Sequence, residues 1–135
     1  LSKGFIPDLA LVAQIEERIV GYILLTKVEI LSDNESKHST LALAPVAVLP
    51  EYHRQGIGSQ LLHFAHQRAQ ELGYDSIVLL GHEDYYPRFG YRKARDFDIK
   101  LPFDVPEENC MVIELIPNAL QGVSGIVQYP SEFYE

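Results

Sequence analysis

The sequence has a single cysteine, Cys110, so no disulfide can form within the chain. That usage suits a reducing compartment, and a cytoplasmic location is the expectation. No run approaches the roughly 20 apolar residues that a membrane-spanning helix needs, so no membrane partner is expected. Positive charge is scarce: 11 Lys and Arg stand against 19 Asp and Glu, a formal net charge of -8. Phosphate backbones demand a basic surface, so nucleic acid is not an expected partner. An acidic surface favours a cationic substrate at long range, although solubility alone accounts for much acidic charge. No repeat, low-complexity tract or signal peptide is visible, and the first residue is Leu1 rather than methionine, which leaves targeting open. The 135 residues, 47% hydrophobic and 22% charged, suffice for one domain with its own core.

Hydrophobic periodicity divides the chain into elements. Leu9–Ala13 and the β-branched run Ile19–Ile30 read as an antiparallel hairpin broken at Glu16-Glu17-Arg18, after an opening at residues 1–7 that reads as a loop. Residues 32–39 read as a loop. Leu41–Val48 is nearly all apolar and suits a strand buried on both faces. Pro45 inside it implies an irregularity or an edge, because proline cannot donate to a ladder. From Gly56 to Leu72 the period changes to that of a helix. Ile57, Leu61, Leu62, Ala65, Ala69 and Leu72 form one stripe, and Gly73 stands where a left-handed cap is expected. Ile77–Leu80 is a short buried strand, which makes a parallel crossover unit. A short helix over 83–89, strands at Tyr91–Ala94, Cys110–Ile116 and Ile126–Tyr129, and a loop over 102–109 complete the reading.

The most informative stretch runs from Val46 to Ser59. A buried strand enters a glycine-bearing turn that opens a helix. Backbone N–H groups at a helix start have no internal partner and carry partial positive charge, so phosphate fits there. Gly56 and Gly58 let the backbone approach closely. A Walker A loop is excluded, since its Gly-Lys-[Ser/Thr] ending is missing. A dinucleotide fingerprint is excluded too, since its third glycine would fall at Leu61. For Gly56-x-Gly58 alone, a plain tight turn explains the spacing equally well.

The wider pattern is more specific. Val46-x-Val48-x-Pro50-x-Tyr52, a polar triplet and Gly56-Ile57-Gly58-Ser59 before an aliphatic helix resemble the acetyl-CoA motif of the GNAT superfamily of N-acetyltransferases. Tyr85-Tyr86-Pro87-Arg88-Phe89-Gly90-Tyr91 resembles its second motif, a tyrosine followed by a glycine–aromatic pair. The tail from Asn118 to Gly125 resembles the YhbS-like branch. The resemblance implies an α/β GNAT fold, a mixed, mostly antiparallel sheet flanked by helices, over one N-acetyltransferase domain at 1–135. It also implies that the family's first strand and first two helices are missing, as in an N-terminally truncated domain.

By position, the resemblance implies that Val46, Ala47 and Val48 offer backbone groups to the pantetheine arm of acetyl-CoA. His53, Arg54, Gln55, Gly56, Ile57, Gly58 and Ser59 would hold the pyrophosphate. Tyr86 would sit near the thioester sulfur as the general acid, and Arg88 or Arg92 would reach the outer phosphate. His53 departs from the family's usual Arg or Gln, with Arg54 and Gln55 following at once. The implied reaction is direct attack of a primary amine, on a small molecule or a protein, on acetyl-CoA in a ternary complex. No metal is required. A non-catalytic acyl-CoA sensor or scaffold is the alternative, and a homodimer is left open. A bulky residue at Gly56 is expected to block the cofactor without unfolding the domain.

Other polar residues carry weaker signals. His63 and His66 have a spacing that can hold a metal, but no third ligand accompanies them, and solvated surface is the better reading. Cys110 in an apolar strand reads as a buried thiol. His82, Glu83 and Asp84 follow the strand ending at Gly81, where open α/β sheets place their ligands, so His82 and Glu83 are base candidates. Glu51 is expected to face solvent.

Overall fold

A computed structural model describes residues 5–43 and 47–129, with side chains from Ala10 onward. Strands β1 (Phe5–Ile15) and β2 (Arg18–Leu31) form the expected hairpin, and β1 already includes Phe5–Pro7, which the sequence suggested as loop. Their connection is two residues, Glu16 at φ 48 and Glu17 at φ 70. Both lie in the left-handed region that such tight hairpin turns require and that glycine or asparagine fills more cheaply.

β2 is the spine of the sheet. One of its edges takes β1 and then β9 (Gly125–Gln128); the other takes β3 (Lys37–Leu43) and β4 (Ala47–Val48). The strand read over 41–48 is therefore two strands. Pro45 lies outside the described residues, but the registers on either side differ by one: Leu25 faces Leu43, whereas Tyr22 faces Ala47. β3 starts at Lys37, inside the stretch read as loop, because Lys37 to Thr40 find partners along the end of β2.

Helix α1 (Ile57–Glu71) connects β4 to β5 (Ser76–Leu80), which runs parallel to β3 from Leu41↔Ile77 to Leu43↔Leu79. Ile57, Leu61, Leu62, Ala65 and Ala69 are buried as the stripe predicts; Leu72 is not, because it is the C-cap at the helix end and stays 38% exposed. Gly73 adopts φ 91, and its N–H bonds to Gln70 O while Tyr74 N–H bonds to Ala69 O, which closes the helix.

Beyond β5 the backbone is more irregular than the sequence suggests. The helix read over 83–89 is a single 3-10 turn, Tyr86–Phe89, and the strand at 91–94 shrinks to β6 (Arg92–Lys93) before a second such turn at Ala94–Phe97. Pro87 and the left-handed Gly90 confine the first turn to four residues. β7 (Ile99–Lys100) and β8 (Cys110–Glu114) follow; β8 ends before Leu115, whose N–H turns to Asp75 O. β3/β5 and β7/β9 pair in parallel and the other described pairs are antiparallel, so the sheet is mixed and mostly antiparallel.

Alternation along the strands splits the core between the two faces. Leu41, Leu43, Ile77, Leu79 and Met111 pack with α1, while Ala42, Val78, Cys110 and Val112 pack with Ala94, Ile99 and Leu120 on the other side. Each fully buried aliphatic side chain contributes about 1.5–3 kcal/mol.

Candidate active site

β3 and β5 pair only as far as Leu43 and Leu79; beyond them, β4 pairs with β2 alone. The ends of β4 and β5 flank a cleft of about 770 Å³. One wall is Val48, Tyr52, His53 and Arg54 with the first turn of α1; the other is Leu80, Gly81, His82, Tyr85, Tyr86 and Arg88. The two motifs singled out in the sequence thus face each other.

The first wall presents backbone. Gly56 caps α1 at φ 80 and ψ 6, and no side chain bonds to the helix start. The first backbone bond closing the helix is Gln60 N–H to Gly56 O, 3.0 Å, so the preceding amides have no partner within the helix. A Cβ on Gly56 would meet nothing within 4 Å. The close approach is thus open, but a side chain there costs backbone strain, so Gly56→Val carries a stability cost besides any effect on the cofactor. Arg54 is also left-handed, at φ 65. His53 Nε2 donates to Val48 O at 2.7 Å, because a carbonyl can only accept.

Of the residues expected to hold the cofactor, Val48, His53, Arg54, Gly56, Ile57, Gly58 and Ser59 line the cleft. Ala47 and Gln55 do not: Ala47 is paired with Tyr22, and the Gln55 side chain donates back to Glu51 O at 3.4 Å. Val46 lies outside the described residues. Glu51 faces solvent as expected and forms an ion pair with Arg18 at 2.6 Å.

The second wall presents rings. Tyr86 is 7% exposed and lines the cleft. Its ring meets Tyr85 edge-on at 5.1 Å and Tyr91 at 5.6 Å. Gly81 lies flush against it: a Cβ there would come within 2.9 Å of Tyr86 Cδ2 and closer still to Cε2. The sequence reading placed Tyr52 in the motif and Gly81 at a strand end but gave neither a role in the site, although a glycine at the end of a buried parallel strand is a usable signal. Arg88 lies over the Tyr85 ring at 4.5 Å and belongs to the cleft; Arg92 lies over Phe97 and lines other depressions. His82 lines the cleft, whereas Glu83 and Asp84 line a separate depression beside Tyr91.

The charge of the cleft opposes that of the chain. Its lining residues include Arg54, Arg88, His53 and His82 and no carboxylate. With the uncapped helix start, this is a setting for a polyanion. Among the described residues no cluster of His, Cys, Asp and Glu could hold a metal ion. His63 is exposed as expected, but His66 is not a surface residue: it is part-buried and bonded through Nε2 to the Tyr91 hydroxyl at 2.8 Å. Cys110 is buried as expected, its Sγ directed at Pro106 O at 3.6 Å; burial, with Glu107 beside it, raises its pKa. No helix among the described residues is long and apolar enough to cross a membrane.

Known proteins share this arrangement. The acetyltransferase (GNAT) domain family model matches residues 7–93. N-acetyltransferase YjhQ of Escherichia coli K12 is 36% identical over 104 residues, 76% of this chain and 57% of YjhQ, so the match spans little more than half of that relative. N-acetyltransferase YhbS of the same strain is 32% identical over 133 residues, 98% of this chain and 77% of YhbS. The crystal structure of Escherichia coli YhbS in complex with CoA matches with a TM-score of 0.85 at 31% identity, covering 93% of this chain and 69% of that one. A GNAT acetyltransferase from Brucella melitensis in complex with acetyl-CoA matches with a TM-score of 0.69 at 26% identity, covering 92% and 67%. The sequence motifs, the family model and the course of the backbone agree over most of the chain, which belongs to the GNAT family of acetyltransferases.

Proposed function

We propose that this chain binds acetyl-CoA in the cleft and transfers the acetyl group to a primary amine by direct attack in a ternary complex, in the cytoplasm. The observation that carries the reading is the cationic, carboxylate-free cleft whose two walls are the uncapped start of α1 and the Tyr86 ring. The relatives solved with CoA and acetyl-CoA support the choice of cosubstrate.

The residues fit the group. The amides of Gly56 to Ser59 take the pyrophosphate, Arg54 adds positive charge, and Arg88 takes the outer phosphate. The backbone at Val48 pairs with the pantetheine arm. Binding both substrates at once removes much of the entropic barrier, several kcal/mol or more. The nitrogen–carbon bond forms as the amine attacks, and the carbon–sulfur bond breaks. One proton leaves the nitrogen, for which His82 in the same cleft is the side chain we favour. One proton reaches the sulfur from the Tyr86 phenol. Thiols titrate near 8.5 and phenols near 10, so a tyrosine donates to a developing thiolate at small cost. General acid catalysis of this kind contributes on the order of 10²–10⁴-fold.

Free-thiol release from acetyl-CoA across a panel of amines tests the activity; a binding module without turnover releases none. Tyr86→Phe deletes only the hydroxyl. Turnover should fall tenfold or more with acetyl-CoA affinity and thermal midpoint unchanged. Wild-type turnover in that variant removes Tyr86 from the mechanism. His82→Gln should change the pH–rate profile, and an unchanged profile assigns the proton to a water chain instead.

A further inference from the structure

We propose that Tyr91 is a positioning residue for the transfer: held by its hydroxyl bond to His66 of α1, its ring fixes where the Tyr86 phenol sits in the cleft. The inference rests on the reading of Tyr86 as the acid.

Tyr86 stands on a weak scaffold. Its backbone belongs to a four-residue 3-10 turn, and its own N–H reaches His82 O only at 3.4 Å. A catalytic group must be held to within about 0.5 Å, which such a turn does not guarantee. The rings packed on it, Tyr85 and Tyr91, add constraint that the turn does not supply. Tyr85, on the open side, is part-exposed and lies under Arg88, so the cleft's occupant can move it. Tyr91, on the inner side, is 2% exposed and meets Tyr86 at 73°.

What holds Tyr91 is polar. Its hydroxyl and His66 Nε2 are 2.8 Å apart. A phenylalanine would fill the same core space without burying a hydroxyl, but it would leave the part-buried His66 imidazole without this partner, which costs free energy. The pair adds direction: the bond ties the axis of the Tyr91 ring, from Cγ to the hydroxyl, to α1. Burial, with His63 adding to it, pushes the His66 imidazole down to about 4, so the pair is neutral at neutral pH and does not loosen there. His66 also belongs to the helix whose first turn lines the opposite wall. One rigid helix thereby sets both the phosphate end and, through Tyr91, the acid.

The test is Tyr91→Phe, alone and combined with Tyr86→Phe, with His66→Leu as a second break of the same bond. With acetyl-CoA and the best amine of the panel, Tyr91→Phe and His66→Leu should each lower kcat about tenfold while the KM for acetyl-CoA stays within twofold. In the Tyr86→Phe background Tyr91→Phe should cost nothing further, because the residue acts only through that phenol. A separate readout needs no acceptor: the ring resonances of Tyr86 in NMR spectra should shift, and its ring should flip faster, in Tyr91→Phe. Unmoved Tyr86 resonances, or an equal loss of kcat in the Tyr86→Phe background, would overturn the proposal. If Tyr86→Phe alone retains full turnover while its resonances respond to Tyr91→Phe, positioning stands and the acid assignment falls.

Discussion

One wall of the cleft, from Val48 to Ser59, acts through backbone: a strand end, a left-handed Gly56 and the uncapped start of α1. The opposite wall, from Leu80 to Arg88, acts through side chains: Tyr86 clamped by Gly81, Tyr85 and Tyr91, with Arg88 over Tyr85. The first needs only that the chain adopt certain φ and ψ angles, and glycine spacing announces them. The second depends on rings meeting across three elements. Substrate affinity should therefore break at the first wall, and rate at the second.

The largest effect is expected from Gly58→Val. Gly58 is in the helical first turn rather than at positive φ, and it lines the cleft, so a valine obstructs phosphate with little backbone strain. Losing one charge-assisted hydrogen bond costs about 1.5–3 kcal/mol, or roughly 10–100-fold in the dissociation constant of acetyl-CoA. Calorimetry with a folded variant measures it, and unchanged affinity would show that the first wall does not carry the phosphates.

Gly81→Ala strikes the second wall. Its methyl would overlap the Tyr86 ring, so the ring must shift. We expect kcat to fall on the order of tenfold to a hundredfold, with stability lower by about 1–3 kcal/mol from overpacking and acetyl-CoA affinity within threefold. A matching loss of affinity would mean that the walls are not separable.

His66 gives a pH signature. Its folded value of about 4 lies below the 6.5 of a free imidazole. The unfolded chain therefore takes up the proton first as pH falls. Stability should decline from about pH 6.5 to 4, by on the order of 2–3 kcal/mol, and this group adds nothing below that. Denaturant melts of wild type and His66→Gln across this range should diverge at the acid end, with the variant losing less; parallel curves would mean that His66 is more solvated than its bond to Tyr91 implies.

The smallest effect is expected far from both walls. Glu17→Gly relieves a left-handed turn residue in the β1–β2 connection. It should stabilise the domain by about 0.5–1 kcal/mol without changing kcat or KM. A change in kinetics would tie the hairpin turn to the cleft by way of the Arg18–Glu51 ion pair.

Much of the scaffold was legible because it follows local periods. The stripe from Ile57 to Ala69, the cap at Gly73, the hairpin and the buried β5 come from helical and strand repeats that any short window displays. The exposure of Leu72 and the 3-10 turn at Tyr86–Phe89 were misread, because what happens at element ends is settled by capping and by neighbouring chain rather than by period. Net charge carries no such local information. A value of -8 describes the whole surface, while the cleft gathers Arg54, Arg88, His53 and His82 from separate segments.

The sequence by itself determined the strand–turn–helix that starts at Val48, because glycine spacing and hydrophobic period are properties of neighbouring residues. Only the tertiary structure decided that His66 bonds Tyr91, that Gly81 backs Tyr86, and that His82 rather than Glu83 shares their cleft. Those outcomes depend on how β5, α1 and a four-residue turn pack together, and no short window of sequence contains the 25 residues that separate His66 from Tyr91.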